Sequence, residues 1–259
     1  MEKNNQDLKQ KRYVVFLDIL GFSNFIENND IENVQYKLNK FLCATFGLAG
    51  WKVNSNPQNK FDIYLHKDIN FILLSDSIIL YTNNGSSENF NRIVETTSIF
   101  LLKGLEHKFP LRGAITCGEL FVNEEGKTDN KVSLQQIYGK ALVKAYRLEG
   151  TQKWSGCIID NEIIEELNHN EKFSIYKKKN YILKYNVPSK ICNKEYYVVN
   201  WIKDKNSILK NQIEKAFYED ETKVDDSVKI KFCNTLKFYE WIVENNGRFI
   251  YNLSREQNK

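Results

Sequence analysis

Three prolines and 12 glycines in 259 residues leave no stretch that could act as a long flexible linker, so two equal halves on a tether are excluded. Cysteine is sparse too. Cys43, Cys117, Cys157, Cys192 and Cys233 are odd in number, widely spaced and without a C-x-x-C pair, so neither a disulfide framework nor a zinc site is indicated and a reducing compartment fits. There is little excess charge of either sign. Thirty-seven basic against 33 acidic residues give a net charge of +4, too small and too dispersed for a dedicated nucleic-acid binder. No window approaches an 18-residue uncharged apolar run, and residues 1–12 are polar where a signal peptide has an apolar core. The expectation is a cytoplasmic protein with no membrane and no nucleic-acid partner. What is present, 42% hydrophobic and 27% charged residues, suffices for a full core and rules out disorder and fibre.

Apolar periodicity divides the chain into elements. Residues 13–20 read as a buried strand ending on Asp18 and followed by Gly21. Residues 24–48 place Phe25, Ile26, Val34, Leu38, Leu42 and Phe46 on one helical face, with a break near Asn29. A polar stretch containing Pro57 leads to a hairpin of residues 70–74 and 78–81, with Asp76 at its bend. A helix over 86–107, capped by Ser86 or Ser87, turns Phe90, Ile93, Val94, Thr97, Leu101 and Leu105 inward. Residues 111–122 form a strand in which Gly113 and Gly118 admit a close backbone neighbour, and 123–129 form a turn. A helix over 139–149, a strand at 156–159, a short helix at 162–167 and strands at 173–176, 181–185 and 196–202 follow. This order predicts an α+β sandwich on a βαββαβ core, with residues 1–12 as a polar leader, 13–202 as the main domain and 203–259 as a helical extension.

Two acids interrupt or end apolar strands, Asp18 after Val14-Val15-Phe16-Leu17 and Asp76 between Phe71-Ile72-Leu73-Leu74 and Ile78-Ile79-Leu80. A carboxylate in such a strand costs free energy unless it is paired, hydrogen-bonded at a turn, or bound to a cation. For one acid the turn role is the commoner. Two acids that a βαββ sheet brings to one end could together hold one or two Mg²⁺ or Mn²⁺ ions, whose free positions suit substrate phosphates. Gly21 before a helix start adds backbone N–H groups as a phosphate cradle.

These residues resemble the class III nucleotide cyclases. Phe16-Leu17-Asp18-Ile19-Leu20-Gly21-Phe22-Ser23 resembles that family's first metal strand and Leu74-Ser75-Asp76-Ser77 its second metal hairpin. Leu111-Arg112-Gly113-Ala114-Ile115-Thr116-Cys117-Gly118 is similar to the strand after the second helix, and Tyr138-Gly139 with Ala145-Tyr146-Arg147-Leu148-Glu149 to the catalytic helix. The likeness runs over roughly residues 12–202. It implies two divalent ions held by Asp18, Asp76 and the Ile19 carbonyl, phosphate contacts from the Phe22 and Ser23 backbone, and Arg147 as the catalytic arginine, contributed by the second subunit of a homodimer with composite sites. Read without that likeness, Arg147 is a helix-face arginine paired with Glu149 or another acid.

The departures point to the substrate. The family's transition-state asparagine is Val143 here, its purine-reading lysine is Ile72 and its second base-reading acid is Gln136. Loss of both purine determinants beside retained metal acids resembles the Pycsar pyrimidine cyclases of bacterial anti-phage defence, which make cyclic UMP or cyclic CMP. The resemblance implies UTP or CTP as substrate, Arg112 as a base contact (or else a strand-end arginine facing solvent), and a product read by a separate cyclic-nucleotide effector protein. Three other readings stand beside it: an adenylate or guanylate cyclase with an atypical base pocket, a catalytically silent nucleotide-binding module, and a nucleic-acid-handling protein, which asks for a more basic surface. His66, His107 and His169 are scattered, no general base is evident, and Tyr64 cannot be singled out for stacking.

Overall fold

A computed structural model describes residues 11–55, 61–63, 68–123, 136–169, 181–202, 210–218 and 226–256. The first strand, β1 (Lys11–Ile19), leads through α1 (Phe22–Glu27) and α2 (Ile31–Leu48) to a small hairpin, β2 (Val53–Ser55) and β3 (Phe61–Ile63). Then come β4 (Ile69–Leu74), β5 (Ser77–Thr82), α3 (Ser87–Glu106), β6 (Leu111–Glu119), β7 (Phe121–Asn123), β8 (Gln136–Tyr138), α4 (Lys140–Glu149), β9 (Gly156–Ile159), α5 (Asn161–His169), β10 (Ile182–Val187) and β11 (Lys194–Val199). The helices α6 (Lys210–Tyr218) and α7 (Asp226–Glu256) end the chain.

Seven strands form one sheet in the order β10-β11-β9-β6-β1-β5-β4, antiparallel throughout except for the β6–β9 pair. The portion β6-β1-β5-β4 is the expected βαββαβ unit, its helices crossing over one strand each time. The α+β expectation holds. The break foreseen near Asn29 separates α1 from α2, and all six residues assigned to the inner face of α3, Thr97 with five apolar ones, are buried. Ser86 caps α3, its hydroxyl accepting from the Asn89 N–H at 3.3 Å. Ile26, expected on the inner face, is 37% exposed, because α1 ends after six residues and its buried side is set by Phe22 and Phe25. Asn123, expected to open a turn over 123–129, ends β7, while the rest of that turn and the expected strand at 173–176 lie outside the described residues, as do Tyr64 and the side chains of His66 and His169.

The two faces of the sheet are covered unequally. Along β1, Tyr13, Val15, Leu17 and Ile19 join the large core with α2, α3, α5 and α6, while Val14 and Phe16 join a small cluster with Ile79, Tyr81, Ala141 and Ala145 under α4. Asp18 continues the second alternation, so it falls on the side that α4 covers. Strand β6 approaches β1 closely at Gly113, where an added Cβ would lie 2.4 Å from the Phe16 carbonyl oxygen. Gly118 has no such constraint, its nearest neighbour being the Ala141 Cβ at 3.5 Å.

Candidate active site

The acids reach one place through register. Asp18 pairs across the sheet with Ser77 on one side and Arg112 on the other, which sets all three on the α4 face at one end of the sheet. The β4–β5 hairpin turns through Ser75 and Asp76 alone, with Leu74 opposite Ser77, and Ser75 takes a φ of 56° to make it. The turn is fastened to the end of β1 by the Ile19 N–H, which donates to the Asp76 carbonyl at 2.9 Å. A cavity of about 650 Å³ opens there, lined by Asp18, Asp76, Arg112, Arg147, Glu149 and Lys190 among others. Four sequence-assigned residues far apart in the chain thus meet.

Arg112 does not face solvent. Its Nε donates to the Glu149 carboxylate, its Nη1 to the Gln152 carbonyl at 3.1 Å, and its Nη2 lies 3.5 Å from Asp18 Oδ2. Glu149 is nearly buried at the end of α4, so this pair is worth keeping only because each charge answers the other. Since Glu149 is engaged by Arg112, it is not the partner of Arg147. Arg147 is exposed, lines the cavity, and pairs with no carboxylate among the described residues.

Asp18 feels a crowded field. Burial pushes its carboxyl up to about 6, the negative charges of Glu149 and Asp76 add to the rise, and Arg112 and Lys231 oppose it. Glu149 is also raised, by burial first, against the lowering effect of Arg112. A divalent cation beside Asp18 and Asp76 would reverse that field. Among the described residues no three His, Cys, Asp or Glu side chains gather in a metal-holding group. Asp18 and Asp76 together would offer two carboxylates, a set that would suit a hard cation of the Mg²⁺ type keeping water and substrate phosphate as its remaining ligands.

Phe22 and Ser23 do not join this cavity. They begin α1 just past Gly21, which takes a φ of 79°; Phe22 is buried against Phe25 and borders a smaller cavity of about 50 Å³, while Ser23 is exposed. Ile19 buries its side chain in the large core. Glu149, Gln152 and Lys190 were not assigned to a site from sequence. Glu149 lies two residues from Arg147 on a helix whose inward face the pattern leaves open, and Lys190 arrives through a turn without periodicity, its N–H donating to the Thr151 carbonyl at 2.9 Å.

No protein-family model matches the chain, and no curated protein matches it. Among solved structures, an adenylate/guanylate cyclase/hydrolase from Silicibacter pomeroyi aligns over 74% of this chain and 97% of its own, at 11% identity and a TM-score of 0.37. At that score no residue correspondence follows from the alignment. No helix among the described residues is long and apolar enough to cross a membrane.

Proposed function

We propose that the protein is a nucleotide cyclase that converts UTP or CTP into the 3′,5′-cyclic monophosphate and pyrophosphate. The observation that carries this reading is the convergence of Asp18, Asp76 and Arg147 on one cavity of about 650 Å³, a volume ordinary for a small-molecule site. Asp18 and Asp76 would hold the Mg²⁺ or Mn²⁺ ions. When bound, such ions act as Lewis acids toward the triphosphate and the ribose hydroxyl. Arg147, which pairs with no carboxylate among the described residues, offers its guanidinium to the charge that builds on the α-phosphoryl group as the 3′-oxygen attacks and pyrophosphate departs. Arg112 keeps Asp18 oriented, and Phe22 and Ser23, which lie outside the cavity, are left without a phosphate role.

The pyrimidine preference is supported by Ile72, which packs beside the cluster of Phe16 and Ile79 and brings no donor to read a purine edge. Gln136 is exposed on β8. The cyclic nucleotide would serve as a signal for a separate effector protein in antiviral defence, and the enzyme would act as a homodimer. Incubation with each of the four NTPs and Mn²⁺, with the product identified by mass, tests the reading: a cyclic pyrimidine nucleotide is expected, and a cyclic purine as the only product would move it to an adenylate or guanylate cyclase.

One observation favours a second reading. Arg112, 3.5 Å from Asp18, gives that acid a cation from the chain itself, and Val143 offers no polar group on α4. A silent nucleotide-binding module would bind UTP or CTP in calorimetry and release it unchanged.

A further inference from the structure

The terminal helix α7 reaches the segment that carries the site. Thr235, fully buried, accepts the Ser155 N–H at 2.8 Å, and Asn234 donates from Nδ2 to the Lys153 carbonyl at 2.8 Å. One helical turn further on, Phe238 meets the edge of Trp154 at 4.7 Å and packs on Tyr185 at 4.8 Å. The segment so gripped is also held from the other side, where the Lys153 N–H donates to the Pro188 carbonyl at 2.9 Å.

This segment has little of its own to keep it in place, for it is a turn between α4 and β9 rather than a helix or a sheet strand. Yet its bonds tie α4 and β6 to the residues beside the acids. The Gln152 carbonyl accepts from Arg112, the guanidinium that pairs with Glu149 and approaches Asp18. The Gln152 side chain donates to the Gly113 carbonyl at 2.9 Å and to the Leu148 carbonyl at 3.1 Å, and accepts from Trp154 Nε1 at 2.8 Å. Ser155 Oγ donates to the Leu111 carbonyl at 2.8 Å. The two strand residues flanking Arg112 are thus anchored through the same turn. All of these bonds are buried or partly buried, where each acceptor left unanswered is costly.

We infer that α7 is a positioning element of the active site: Thr235, with Asn234, fixes the turn from Gln152 to Ser155 and through it the seat of Arg112 beside Asp18. Neither residue touches the cavity, so both act through Arg112 and are positioning residues. The inference rests on the cyclase reading only for its kinetic consequence, and the structural consequence stands apart from it.

Thr235→Val keeps the shape of the side chain and removes the acceptor of the Ser155 N–H. The experiment compares wild type, Thr235→Val, Thr235→Ser and Glu240→Gln, the last breaking the α6–α7 surface pair of Lys210 and Glu240 away from the turn. Solvent exchange of the Arg112 Nη1–H, which donates to the Gln152 carbonyl, and of the Ser155 amide is followed by NMR. Thr235→Val should speed both by about tenfold, the opening expected when a buried bond is lost, while Thr235→Ser and Glu240→Gln exchange as wild type does. With the nucleotide that wild type turns over, Thr235→Val should lower kcat with little change in KM, and Thr235→Ser should restore it. Unchanged Arg112 exchange in Thr235→Val overturns the inference, and so does faster exchange with unaltered kcat. If wild type turns over no nucleotide, the cyclase reading fails and the exchange measurement alone decides the inference. Should Thr235→Val fail to fold, Asn234→Ala, which removes the bond to the Lys153 carbonyl, takes its place with the same expected outcomes.

Discussion

Asp18 and Asp76 flank the same cavity but sit in different surroundings. Asp18 is pressed between Glu149 and Arg112 on the sheet, whereas Asp76 projects from a two-residue turn and binds the sheet through its backbone carbonyl alone. Its side chain is hence the better one to change without harm to the fold. Asp76→Asn should lower turnover by about a hundredfold or more, as loss of a ligand for a Lewis-acidic ion does, and leave the thermal midpoint within a degree or two of wild type. Undiminished turnover would remove the two-metal proposal. A second residue-scale prediction concerns His107, which ends α3 with its ring 6.2 Å from that of Phe41. Burial lowers its pKa below the ordinary 6.5, with Glu106 opposing and Lys103 and Lys40 assisting. The unfolded chain therefore takes up the proton first. The stabilisation from this residue is complete above pH 6.5 and is lost as the pH falls from there through the folded-state pKa. Melting curves should show wild type losing more stability than His107→Gln over that interval, and parallel pH profiles would contradict the assignment.

At the scale of elements, the approach of β6 to β1 is the tightest constraint in the sheet. A methyl group on residue 113 would meet the Phe16 carbonyl at 2.4 Å and Leu17 Cδ2 at 2.5 Å, and neither backbone can withdraw without parting the strands that carry Asp18 and Arg112. Gly113→Ala should cost about 2–3 kcal/mol in urea unfolding and reduce turnover beyond the loss of folded protein. Gly118→Ala, with only ordinary contact ahead of it, should be close to neutral, and equal effects at the two glycines would refute the argument. The sequence treated these glycines alike because a strand pattern shows where glycine occurs and not which backbone lies opposite. The same limit governs the site. Asp18 and Asp76 were legible since an acid at the end of an apolar run declares itself by local contrast. Arg147 was legible through its resemblance to a known motif. Glu149, Gln152 and Lys190 were not, because their placement depends on which face of α4 meets β1 and on a bridge between residues 152 and 189, both products of tertiary packing. The helical tail was legible, as was the docking of its aromatic stripe, Phe238, Tyr239 and Trp241, against the main domain or a partner, but not that Trp154 and Trp201 would receive Phe238 or that Thr235 would hold the turn before β9.

Across the whole molecule, the described residues cover one side of the sheet with α4 and the β7–β8 hairpin and little else. Among the described residues of that side, Tyr138 on β8 and Val143 and Tyr146 on α4 are about half exposed or more, Ile191 is 91% exposed and Leu74 beside the hairpin turn is 69% exposed, and of these Tyr146 and Ile191 line the cavity. Large apolar side chains exposed along α4 and beside a polar cavity suit an interface better than a solvated surface. A second copy of the chain, related by a twofold axis, would cover them and bring the Arg147 of each protomer toward the acids of the other. Within one chain Arg147 already lines the cavity with Asp18 and Asp76, so the geometry offers two ways to complete the site, from the same protomer or across the interface. Mixing inactive variants separates them. Arg147→Ala should lower kcat by about 10²- to 10³-fold, as removal of one charge-stabilising donor does, and Asp76→Asn should be similarly inert. If the arginine acts across a dimer, refolding the two variants together in equal amounts places an intact Asp76 opposite an intact Arg147 in one site of every heterodimer. Half the dimers would then be hybrids with half their sites whole, so activity should return to about a quarter of wild type. The mixture should elute at the dimer mass in sizing chromatography with light scattering. If the dimer forms and activity stays at the level of the separate variants, Arg147 serves the acids of its own chain, and the exposed aromatic side of α4 holds the protomers together without contributing to chemistry.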